Sequence, residues 1–112
     1  MDFIQSEKEL RALAASHARL ARRYAAERNA YGEASWEVMV LLVPHQGEEH
    51  YRKASHEKQV LMLMADCPAA EEPVKRMTLA RERYKGLERM LEHRASRISA
   101  LQSLMRYARS ND

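Results

Sequence analysis

Ten positions spaced alternately three and four residues apart occur twice in this chain, once toward each end. The first series is Leu10, Leu13, His17, Leu20, Tyr24, Glu27, Tyr31, Ala34, Val38 and Leu41. The second is Met77, Ala80, Tyr84, Leu87, Leu91, Arg94, Ile98, Leu101, Met105 and Ala108. Side chains seven residues apart return to one face of a slightly underwound helix, so each series draws a seam along a long helix. Two seams of equal length, separated by a turn region, can close on each other head to tail. The expected fold is all-α: a long antiparallel coiled-coil hairpin with a short middle helix.

At 112 residues this is a single domain, 1–112. Three Gly, three Pro and 46% apolar residues suit a helical bundle or coiled coil. Two helices bury one seam each, and small domains bury a limited fraction of their surface, so a homo-oligomer is expected.

Helix 1 is expected over about 6–43. Ser6 and Glu9 have capping-box spacing, and Pro44 disfavours helical backbone at Val43. About 37 residues at ~1.5 Å each make a helix of roughly 55 Å. After the polar turn Pro44–Glu49 a middle helix is expected over about 50–65. Its end, Val60, Leu61, Met62, Leu63 and Met64, is apolar on every face. Such a helix is buried all round or lies in a contact between subunits, and these five residues are the expected oligomer interface. The segment Asp66–Pro73 breaks the chain again. Helix 3 follows over about 73–109, with Pro73 in its first turn and Glu71 and Glu72 at its positive end.

Matching the seams layer by layer sets Leu10 against Ala108, Leu20 against Ile98, Tyr31 against Leu87 and Leu41 against Met77. It puts Tyr24 opposite Arg94 and Glu27 one layer away. Glu27 and Arg94 are the charged interruptions of the two seams, and they are expected to pair. A buried ion pair fixes register more than it adds stability.

Chemistry-bearing patterns are sparse. Cys67 stands alone, so it forms no internal disulfide, and its neighbours Asp66 and Pro68 do not favour a thiolate. The histidines His17, His45, His50, His56 and His93 match no zinc spacing, and no metal or cofactor is expected. No Gly-rich phosphate loop, nucleophile elbow or His-Glu-x-x-His motif occurs, which argues against an enzyme. The start of the chain has no secretory pattern, and the longest apolar run, Val38 to Val43, is far short of a membrane span. A cytoplasmic protein without a membrane partner is the expectation.

The net charge of +3 leans basic without announcing a nucleic-acid binder. Arginines line both long helices, and Arg suits phosphate forks and aromatic stacking. Glu33, Glu37, Glu82, Glu88 and Glu92 are near enough in sequence to neutralise many of them as ordinary surface pairs.

The pattern Arg94-x-x-x-Ile98-x-x-Leu101-Gln102-x-Leu104 resembles the C-terminal helix of the phage UvsY-type recombination mediators. Tyr51-x-Lys53 followed by Lys58-x-Val60-Leu61 is similar to a tyrosine-lysine segment those proteins carry after their central loop. The resemblance covers about the C-terminal half. It implies a ring-forming protein that binds single-stranded DNA and helps load a recombinase onto strands coated by a single-strand-binding protein. The chain departs from that pattern between Trp36 and Val43, which is almost wholly apolar where the family is rich in lysine and arginine.

The expected DNA contacts are then Arg52, Lys53, Lys58, Arg83, Arg89 and Arg97, with Tyr51 or Tyr107 stacking on bases. A helical protein–protein interaction module, an adaptor, inhibitor or assembly chaperone that binds no nucleic acid, is the competing expectation.

Overall fold

The computed structural model describes residues 3–110. Its helices are α1 (Phe3–Leu42), α2 (Glu49–Arg52), α3 (His56–Asp66) and α4 (Glu71–Ser110), with single 3-10 turns at Val43–His45 and Pro68–Ala70. Among the described residues every regular element is helical. The chain divides into two compact units, residues 1–25 with 84–112 and residues 26–83.

In the first unit α1 and α4 run antiparallel. Glu9 meets Arg97 at 2.7 Å, and the Tyr24 and Tyr84 rings meet edge to face with centroids 6.2 Å apart. Leu20, Tyr84, Leu87 and Leu101 are buried there. The second unit holds its long-helix segments antiparallel too, with Glu27 near Arg83 and Glu37 against Arg76. Its core gathers Val38 and Leu42 from α1, Tyr51 from α2, Val60 and Leu63 from α3, Ala70 from the second turn and Val74 from α4. The fold class is thus the expected one, two long antiparallel helices joined through short ones.

The seams are the expected faces, but their register is not. Every residue of the first series is buried or half-buried, as is every residue of the second except Ala108. Yet Tyr24 meets Tyr84 rather than Arg94, a slide of roughly three helical turns. Glu27 has Arg83, 4.0 Å away, as its partner, so the expected pair with Arg94 is replaced. A seam of alternating three- and four-residue steps still meets a seam when slid by whole layers, so periodicity fixes the face and leaves the register to the connection and the core.

Two helix limits also differ. Ser6 does not cap α1: the helix already starts at Phe3, whose ring lies under the Arg109 guanidinium at 5.6 Å, and Ser6 is buried within it. The middle helix is broken at Lys53–Ser55. Ser55 caps α3 by accepting a hydrogen bond from the Lys58 amide at 3.3 Å, and the Gln59 side chain donates to the Tyr51 carbonyl at 2.6 Å. Tyr51 explains the break. Its hydroxyl donates to Asp66 at 2.5 Å, whereas in an unbroken helix these residues would be about 22 Å apart.

That break also relocates the apolar run. Val60 and Leu63 turn into the core of their own chain, and Met62 and Met64 pack beside them. Only Leu61 points out, 67% exposed. The five residues expected as an oligomer interface are therefore mainly an internal packing surface. Their i, i+3 spacing gives α3 one buried face once the helix folds back on its own chain.

Candidate nucleic-acid interface

The expected contact residues fall in both units. Arg52, Lys53, Lys58 and Arg83 belong to the second, Arg89 and Arg97 to the first. Lys53 is held by Glu49 at 3.0 Å, Arg83 faces Glu27, and Arg97 is held by Glu9 at 2.7 Å. Arg52, Lys58 and Arg89 make no ion pair among the described residues. Tyr51 is no stacking platform: it is 1% exposed, between His45 and His50 with ring centroids 4.8 and 4.9 Å away. Burial and the bond to Asp66 push its phenol up to about 12. Tyr107 is 71% exposed on α4.

Charge separates between the units. The first carries Lys8, Arg11, Arg19, Arg22, Arg23, Lys85, Arg89, Arg94, Arg97, Arg106 and Arg109 against Asp2, Glu7, Glu9, Glu88, Glu92 and Asp112. That is eleven basic against six acidic residues, a formal +5. The second unit has eight against ten, a formal −2, and the two values return the +3 of the chain.

Within the first unit the basic residues of α4 gather beside α1. Arg89, His93, Arg94 and Arg97 line an open groove of about 440 Å³ whose apolar members are Leu13 and Met90. Spacings of three and four residues place these side chains on neighbouring rows of one helix. A second groove, about 370 Å³, lies between Leu10 of α1 and Gln102, Met105, Arg106 and Arg109 of α4. Glu9 neutralises Arg97, but neither Arg89 nor Arg94 has a carboxylate partner among the described residues. Arg94 thus serves the basic groove and not a register pair with Glu27. The sequence does carry a sign of this cluster: Arg89, His93, Arg94 and Arg97 share α4 spacing, and the ends of the chain hold the excess charge.

The arrangement suits a flexible polyanion more than a compact anion, because the grooves are open and their cations are spread along a helix. Among the described residues no three His, Cys, Asp or Glu side chains form a possible metal site. No helix among them is long and apolar enough to cross a membrane. Compared with known protein families, with curated proteins and with solved structures, the chain matches none.

Proposed function

We propose that this protein binds single-stranded DNA without sequence preference through its first unit, acting as an accessory in phage-type DNA recombination that assists recombinase loading. The observation that carries the binding is the segregation of charge, +5 in one unit and −2 in the other. The α4 arginines Arg89, Arg94, Arg106 and Arg109 border grooves beside α1. A strand lying along α4 would meet cations at helical intervals, with Tyr107 on a neighbouring groove lined by Phe3 and Leu104. Lys53, Arg83 and Arg97, already engaged by carboxylates, contribute less. The recombination setting rests on the resemblance of the α4 pattern to UvsY-type mediators, and loading would bring in a recombinase or a single-strand-binding protein as partner.

Fluorescence anisotropy of labelled oligo-dT over a salt series tests this. Each phosphate neutralised on a single strand contributes roughly 0.7 to the slope of log K against log salt. Arg89→Ala with Arg94→Ala should flatten that slope by about 1.4 and weaken binding at low salt. Unchanged binding by the double variant, or no binding by the parent protein at low salt, refutes the assignment.

An interaction module is the second reading, and one observation favours it. Leu61, Met64, Val74 and Leu79, with Tyr31, line an open and largely apolar groove of about 530 Å³ in the acidic second unit. A stable complex with a protein partner, lost in Leu61→Glu and insensitive to the arginine variants, would support it.

A further inference from the structure

Near its C-terminal end α1 carries a second apolar row. Trp36, Met39 and Val40 share one face of α1, and Val43, the first residue of the following 3-10 turn, continues their row at i+7. All four are between 49% and 67% exposed. The inner face of the same segment is a different set: Ala34, Val38 and Leu42 are buried. A soluble helix that hides one face in its core ordinarily presents polar residues on the other. Here the outer face is apolar for two turns.

The geometry points to a second copy of this chain as the occupant: we infer that the protein forms a two-fold dimer in which this row packs antiparallel against itself. The order of residues makes the row self-complementary. A two-fold axis between Met39 and Val40 sets Trp36 against the second copy's Val43, and Met39 against its Val40. Each large side chain then faces a small one at both ends of the contact, and every pairing occurs twice, as an isologous interface requires. No charged residue lies within the row. Mirrored across the axis, Glu33 falls opposite Gln46 of the second copy, so no like charges oppose there.

Charge also argues against other occupants. The nearest charged residues on α1 are Glu33 and Glu37, and Glu37 is already paired with Arg76. With Glu37 neutralised, Glu33 leaves the border weakly acidic in a unit of formal −2, which disfavours nucleic acid and an anionic lipid surface. The area is that of a modest dimer. The four side chains leave roughly 450 Å² exposed, within the range of patches that mark interaction sites. Twice that, about 900 Å², falls below the ~1,200 Å² of stable complexes, so the dimer is a weak and reversible one. This association is independent of whether DNA binds, since it uses none of the first unit's arginines.

Trp36 is the only tryptophan in the chain and reports directly on the contact. Sedimentation equilibrium and Trp emission are followed together from about 1 to 500 µM protein. The expected result is a mass rising from 13.0 kDa toward twice that value while emission moves to shorter wavelength. Val40→Glu should weaken association at least tenfold with unchanged far-UV circular dichroism, and Leu61→Glu should leave it intact. Emission and mass that stay constant over the whole range overturn the proposal. So does association that survives Val40→Glu but is lost in Leu61→Glu. Constant emission would leave the row to a foreign protein or a membrane and refute the dimer equally.

Discussion

Leu63→Ala is the substitution that most directly tests how α3 is held. Leu63 is 0% exposed and belongs to the core cluster that also holds Val38, Leu42, Tyr51, Val60 and Val74. Truncation to Ala removes the equivalent of about three buried methylene-sized groups, at ~0.8 kcal/mol each. The cavity left by incomplete collapse adds to that loss, giving about 3 kcal/mol, inside the 2–5 kcal/mol range for such changes. Leu61→Ala, two residues away and 67% exposed, should cost under about 0.5 kcal/mol. For a domain of this size 3 kcal/mol corresponds to a melting temperature lower by roughly 12–20 °C. Urea denaturation of both variants, monitored by circular dichroism at two protein concentrations, supplies the comparison. If α3 packs within its own chain, the Leu63→Ala loss is the same at both concentrations. Equal costs for the two leucines, or a Leu63→Ala loss below about 1 kcal/mol, would refute the packing described for α3. A loss that shrinks on dilution would move its partner surface to another molecule.

Two further substitutions probe polar groups in buried places. The Nδ1 of His17, a seam residue of the first unit, is buried without a hydrogen-bond partner. A buried unsatisfied polar atom costs about 1–3 kcal/mol, so His17→Leu should raise stability by about 1 kcal/mol in thermal or urea unfolding, and a loss would contradict that reading. Tyr51 has a phenol raised to about 12 when folded and near 10 when unfolded. The folded state therefore holds this proton more tightly, and the stabilisation it gives is fully present below pH 10. It is lost as pH rises from 10 toward 12. Tyr51→Phe should lower stability at pH 7 and flatten the decline between pH 10 and 12, and an unaltered alkaline profile would exclude Tyr51 as its source.

The apolar face of each long helix follows from local chemistry alone. Leu10 through Leu41 and Met77 through Met105 recur at heptad spacing, and the structure buries or half-buries them whatever else they meet. Breaks at Pro44 and before Glu71 are equally local, because proline restricts the backbone on its own account. The excess of basic residues toward the chain ends is a property of composition, legible before any folding, and only the antiparallel return of α4 along α1 gathers those ends into one unit.

Tertiary contacts decided the rest. Heptad seams are degenerate under sliding, so nothing local could choose Tyr84 over Arg94 as the neighbour of Tyr24, or Arg83 as the neighbour of Glu27. The break at Lys53–Ser55 has the same origin. Residues 50–65 contain no Gly or Pro; the helix parts where Ser55 can cap α3 and where folding back gives Tyr51 a buried site and a partner in Asp66. Once it does, a run apolar on all sides becomes amphipathic, with Leu63 inside and Leu61 outside. Which apolar residues remain on the surface is a difference between the whole chain's apolar area and what its core can cover. No window of sequence contains that difference, and so Trp36, Met39, Val40 and Val43 emerge as an open face only in the folded protein.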